Sequence, residues 1–480
     1  MSAPTDTSAA PGAAQGRAEA LTLLDALARA PAAAALVVAA LGEADRKALR
    51  LVHFQLCAAV GEATTKLEII TPGGARPPTA RRWPRLEELT FTLPDLAALE
   101  ALALETWGAL RTLRLGDFHS VEAQSYLYAV TLDAPAAHAL AAALPRMPAL
   151  RALEVAWLGI GDAVAAELIC AASANAPLQL RSLTLRGNDL TPVTARALAA
   201  TGWRLEELNL QGFAALGGAG LAALIAAPTF ALRRLSLKGC RLDAASVLNI
   251  ANAPWPLEEL DLSGDLSCAA AGPALAALSQ HAGLRRLNVT FCQLSNASFK
   301  ALVEAAWPAL TSLNARYAKG EFSGPHALGA AAFAGFPALE ELDLAEVELG
   351  EAGARRLASR RWPRLRVLNL FCAFAGNAGV AALARGGWPA LEELSLGGCD
   401  LSALSARFLA RGSWRSLRRL DLMGNRLGDY GSARLCLAEL ALGVWPALEW
   451  LGLYENDICV EVPTLEEVRR WAPRLRCLEW

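Results

Sequence analysis

Apolar and polar positions alternate along this chain in a pattern that returns many times. Runs of the form L-x-x-L-x-L occur as LRSLTL (180–185), LRRLSL (232–237), LEELSL (391–396) and LRRLDL (417–422). Leucines at positions four and six with a polar residue between them have the period of two expected of a strand with one buried face. After each run comes an alanine- and leucine-rich stretch with helical spacing, such as GLAALIAAP (220–228) or AGVAALARGGW (378–388). The pattern therefore predicts a strand and then a helix, repeated. Fifteen runs start at Leu86, Leu110, Leu150, Leu180, Leu205, Leu232, Leu257, Leu284, Leu310, Leu339, Leu365, Leu391, Leu417, Leu448 and Leu475. The mean interval is (475 − 86)/14, about 28 residues, and the starts from Leu339 to Leu417 are 26 apart. A fixed period of this size is the mark of a stacked repeat architecture.

Position nine of the run is also restricted. It holds Asn188, Asn425 and Asn456, or Cys240, Cys292 and Cys399. A side chain there can satisfy turn backbone that stacking would otherwise bury unpaired. The full pattern, LxxLxLxx(N/C)xL, resembles the leucine-rich repeat family, in its cysteine-containing and ribonuclease-inhibitor-like subclasses, over roughly residues 67–480. The resemblance implies an α/β solenoid of about fifteen strand–helix repeats, helices on the convex side and a parallel sheet on the concave side.

Trp-Pro stands two or three residues ahead of six of these runs, at Trp83, Trp255, Trp307, Trp362, Trp388 and Trp445. Proline ends the preceding helix and biases the residue before it toward extended backbone. The indole is expected to fill the gap between helix end and sheet, once per repeat. A tryptophan stripe of this kind reads as packing rather than as a ligand cage.

Ahead of the repeats, residues 1–20 have the composition of a disordered tail, and residues 21–65 carry a helical pattern. Within them Leu41, Leu49 and Val52, with Asp45, resemble an F-box, which would dock the adaptor subunit of an SCF-type ubiquitin ligase. The sequence departs from that motif at RAPAAA (29–34), His53 and Leu56. The competing reading is a helical cap that shields the first strand, KLEII (66–70).

Composition narrows the function further. A formal charge of −2 argues against a broad nucleic-acid-binding face. PAAAALVVAAL (31–41) is too short to span a bilayer and no basic leader is apparent, so a cytoplasmic location is expected, with the cytoskeleton or ciliary axoneme as the alternative. The ten cysteines show no metal spacing and read as thiols. No phosphate loop, nucleophile elbow or paired-histidine metal motif is present, and glutamate pairs such as Glu206-Glu207 and Glu392-Glu393 recur in one slot of the repeat, as solvated strand edges would. The expectation is a non-catalytic protein without cofactor or metal, monomeric by itself.

Binding is expected on the concave face, at positions three, five and seven of the run. Position three alternates Glu and Arg over Glu207, Arg234, Glu259 and Arg286, and position five is short and polar. The C-terminal units break this rule with Phe371, Met423, Trp450 and Tyr454, beside Asp343, Asn369 and Asp421. Large apolar side chains next to carboxylates are what a protein-binding hot spot uses. These seven residues are the candidate partner site. The roles that follow are a protein-interaction module, by resemblance a ubiquitin-ligase substrate receptor; a structural axonemal or cytoskeletal protein; or a regulator resembling ribonuclease inhibitor or the Ran GTPase-activating protein.

Overall fold

The computed structural model describes residues 65–70, 79–81, 83–92, 96–116, 131–173, 179–264, 271–318, 333, 335–412, 414–428, 433–458 and 465–479. Leu41, Leu49 and Val52, the proposed tail and the N-terminal helical segment lie outside the described residues. The chain divides into two compact units. The first runs to Glu154 and takes in Cys170–Gln179, and the second comprises Val155–Ile169 and Leu180–Trp480.

In the first unit β1 (Lys66–Ile70), β2 (Glu88–Thr92) and β3 (Thr112–Gly116) pair in parallel, Leu67 beside Leu89 and Leu89 beside Leu113. The boundary between units falls within β4 (Ala152–Ala156). The second unit continues with three-residue strands: β5 (Ser182–Thr184), β6 (Glu207–Asn209), β7 (Arg234–Ser236), β8 (Glu259–Asp261), β9 (Arg286–Asn288) and β10 (Ser312–Asn314). It ends with β11 (Glu341–Asp343), β12 (Val367–Asn369), β13 (Glu393–Ser395), β14 (Arg419–Asp421), β15 (Trp450–Gly452) and β16 (Cys477–Glu479). Each of β5 to β16 is parallel to its neighbour in the chain, with no slip: Leu342, Leu368, Leu394 and Leu420 stand side by side. Helices such as Ala244–Ala251, Gly350–Ala358 and Ala403–Ala410 follow the strands. None of the described helices is long and apolar enough to cross a membrane.

This register exists because one side of every strand is leucine. In the unit that begins at Leu391, the leucines at positions one, four and six are 1%, 2% and 0% exposed. A one-residue slip would turn that set to solvent. The fold is an α/β leucine-rich-repeat solenoid, with sixteen strands among the described residues.

Two devices recur between the layers. Of the six Trp-Pro tryptophans, Trp255, Trp307, Trp362, Trp388 and Trp445 are buried as expected and Trp83 is half-buried, and most of the buried ones also hydrogen-bond. The indole N–H of Trp307, Trp362, Trp388, Trp414 and Trp445 donates to the carbonyl five residues back, at 2.7–3.0 Å. That carbonyl belongs to the end of the preceding helix, where backbone acceptors lack intrahelical partners. Trp414 does this without a following proline, so the indole is the constant element of the device. Trp203 and Trp255 are buried without such a bond.

The second device is position nine. The Asn425 carboxamide accepts from Cys399 N–H and Leu401 N–H (3.0 and 3.1 Å) and donates to the Leu396 and Leu422 carbonyls (2.9 and 2.8 Å). Asn188 makes the same four kinds of bond. Where cysteine replaces asparagine, the thiol keeps the donation to the preceding unit: Cys240 to Leu210, Cys292 to Leu262 and Cys399 to Leu370. Burial pushes the Cys399 thiol up to about 11.

Candidate interaction surface

In the second unit the face of the sheet opposite the buried leucines carries positions three, five and seven. Position three forms an ion-pair ladder in part. Arg234 pairs with Glu207, and Arg419 Nε lies 3.9 Å from Glu393. A second ladder runs through position two, pairing Arg181 with Glu206, Arg233 with Glu258, Arg366 with Glu392 and Arg418 with Glu449. These pairs are solvent-exposed, and each contributes roughly 0–1 kcal/mol. They account for the recurring Glu-Glu and Arg-Arg dipeptides without chemistry. A groove of about 520 Å³ on this face lies over β5 to β10 and is lined by polar residues including Glu207, Asn209, Arg234, Asp261 and Arg286.

Position five has a local task. Its side chain accepts the backbone N–H two residues on: Asn209 from Gln211, Asp261 from Ser263, Asp343 from Ala345, Asn369 from Phe371 and Asp421 from Met423, at 2.9–3.1 Å. Such Asx turns explain why Asn and Asp dominate the column from Asn209 to Asp421. Neighbours also link along it, Asn369 Nδ2 donating to Asp343 at 3.2 Å and Ser395 Oγ to Asp421 at 3.1 Å. Burial raises the Asp343 carboxyl above the ordinary range, against the bonds from Ala345 and Asn369 that lower it. Asp343, Asn369 and Asp421 thus hold the turns that present position seven.

The other four candidates are where the repeat spacing places them. Phe371 and Met423 are half-buried at position seven. They meet over Gly397, where a Cβ would stand 2.8 Å from Phe371 Cδ2 and 3.0 Å from Met423 Cγ. Trp450 lies across Gly452, leaving 2.4 Å for a Cβ there. The Arg419 guanidinium stacks 4.5 Å from the Trp450 ring, and the indole N–H donates to Glu479 at 3.0 Å. Part of Trp450 is therefore occupied within the molecule. Tyr454 is 50% exposed.

Three exposed aromatics escape the reading by positions three, five and seven. Among the described residues of the second unit position eight is in the left-handed region, and half of the repeats place glycine there, among them Gly212, Gly239, Gly264, Gly398 and Gly424, while Trp157, Glu346, Cys372 and Glu455 stand in others. Phe291 (φ 57°) and Tyr317 (φ 52°) occupy the same slot with large side chains. Their rings stack at 4.9 Å, and they are 52% and 44% exposed. Glu346, next in this column, bonds the Tyr317 hydroxyl and raises its pKa. Glu346 also pairs with Arg316 at 2.8 Å. Phe374, at position ten, is 51% exposed. The signal for the pair was in the sequence, as two successive aromatics after Gly187, Gly212, Gly239 and Gly264 in the same column.

A family model described as Leucine Rich repeat matches residues 415–436. No curated protein matches the chain. Among solved structures, the Rad7–Elc1 complex of yeast is similar at 13% identity and a TM-score of 0.40, over 98% of each chain. An internalin (inlF) from Listeria monocytogenes is similar at 15% identity and a TM-score of 0.36, over 66% of this chain and 82% of that one. The TLR13–ssRNA13 complex is similar at 16% identity and a TM-score of 0.41, over 82% of this chain and 57% of that one.

Proposed function

We propose that this protein is a binding scaffold that holds a protein partner on the open sheet face of its second unit, at the turns of β12 to β15. One observation carries the reading. Phe371, Met423, Trp450 and Tyr454 stand at positions where the other units hold polar, charged or small residues, and packing of the leucine core does not require them there. Apolar anchors framed by ordered polar turns are the makings of an interface hot spot. The Asx turns of Asn369 and Asp421 fix the backbone from which Phe371 and Met423 project, so little ordering remains to be done on binding.

Affinity capture from cell extract followed by titration of the purified partner tests this. Phe371→Ser with Met423→Ser should weaken the partner at least tenfold and leave the circular dichroism spectrum unchanged. Equal binding by the variant and the wild type refutes the reading. Docking of a ligase adaptor by residues 35–60 rests on the F-box resemblance. The same capture tests that role, with the Leu49→Asp, Val52→Asp variant as control: recovery of the adaptor by the wild type alone supports it.

A further inference from the structure

The stacked pair Phe291–Tyr317 is costly twice over. A non-glycine residue in the left-handed region is strained, and the repeats ahead of Phe291 avoid the strain with Gly212, Gly239 and Gly264. Both rings are also left about half exposed. Strain and exposed apolar area at one place point to a binding role.

Charge identifies the occupant. Among described residues, positions seven, eight and ten of the turns after β9 to β15 carry the carboxylates Glu346, Glu348, Asp400, Glu455 and Asp457. Against them stand Arg316 and Arg426, each already paired within the set, with Glu346 at 2.8 Å and Asp400 at 3.2 Å. The turns are therefore acidic on balance, and an aromatic face beside a carboxylate is the chemistry that receives a guanidinium or ammonium group. Adjacent strands lie about 4.8 Å apart, so the turns of β9 and β15 are about 29 Å apart along the sheet, the length of an extended segment of about nine residues.

Resting on the reading above, we infer that Phe291, Tyr317 and Glu346 form a second anchor point for the same partner, built to take an arginine or lysine side chain, and that the bound segment is extended and cationic. The proposal deepens the scaffold reading by naming the chemistry of what is bound.

The test uses the full chain and the double variant Phe291→Gly, Tyr317→Gly. Glycine suits the left-handed backbone, so the variant should melt at or above the wild-type temperature. The probe is a fluorescein-labelled nonapeptide of alternating arginine and serine, followed by fluorescence anisotropy. The wild type should bind it saturably, the double variant at least tenfold more weakly, and a glutamate–serine counterpart should not bind. No saturable binding by the wild type, equal binding by the variant, or a drop in melting temperature of more than about 5 °C would overturn the proposal, the last because the rings would then be packing elements. With the captured partner, the glycine variant binding normally while Phe371→Ser, Met423→Ser fails removes the second anchor and leaves the scaffold reading standing. Normal binding by both variants removes both.

Discussion

Truncating Trp362 to alanine removes an indole that is 2% exposed. Its ring stacks on Trp388 at 6.3 Å between centroids and on Phe336 at 6.4 Å, with Phe333 edge-on at 6.5 Å. Large-to-small changes of buried aromatics cost about 3–5 kcal/mol, which includes the cavity left among these rings. The lost N–H bond to the Leu357 carbonyl, 2.9 Å long, adds to this. That carbonyl keeps a second donor, Arg360 N–H at 3.3 Å, so the addition belongs at the low end, about 1 kcal/mol. Trp362→Ala should therefore cost about 4–6 kcal/mol in all. Trp362→Phe keeps a ring in the stack and loses the hydrogen bond, for about 1 kcal/mol plus a smaller packing loss. Urea unfolding gives the two totals, and native-state hydrogen exchange over residues 357–370 locates the loss, which in a repeat array stays with the altered layer and its neighbours. A cost for Trp362→Ala below 1 kcal/mol, or equal costs for the two variants, would refute the packing account.

Asn425→Ala strips four buried backbone groups of their partner and should cost about 3–5 kcal/mol in urea unfolding. Asn425→Cys should recover part of this, since a thiol can donate to Leu396 as Cys399 does to Leu370; no difference between the two variants would contradict the equivalence. The Cys399 thiol, raised to about 11 from 9.0, gives a contribution that is complete below pH 9 and lost as pH rises through 11. The stability gap between wild type and Cys399→Ala should narrow over that window, with alkylation of Cys240, Cys292 and Cys399 slow at pH 8. A pH-independent gap with fast labelling would contradict it. Asp243 caps the helix Ala244–Ala251 by accepting Ser246 N–H at 2.8 Å, and bonds from Ser246 lower its pKa. Asp243→Ala should cost about 1 kcal/mol at pH 7. Because the folded pKa is depressed, the difference should be present above about pH 4 and vanish as pH falls through the folded value; a gap that persists at pH 2 would count against it.

The strand register was legible because leucine spacing encodes burial directly: Leu342, Leu368, Leu394 and Leu420 could be aligned by eye and are neighbours in the sheet. The position-nine contacts were legible in kind, since a polar side chain in a tight stacked turn has few partners except backbone. The second task of tryptophan was not, because the N–H bond depends on where the helix ends in space, and Trp414 shows that proline is not needed for it. Asp343, Asn369 and Asp421 read as ligand-facing because strand alternation places them on the open face. The Asx turn they form depends on backbone two residues further on, which alternation does not describe. Phe291 and Tyr317 were missed because a period-two reading stops at position seven, and position eight is defined by its positive φ.

The scaffold account stands or falls most directly on where the partner touches. Hydrogen exchange of the full chain, free and saturated with its captured partner, should show new protection at residues 290–293, 316–318, 371–374, 423–426 and 454–457. The helices Gly350–Ala358, Gly376–Leu383 and Ala403–Ala410 should be unchanged. Protection confined to those helices, with the turns exchanging as in the free protein, would contradict the account.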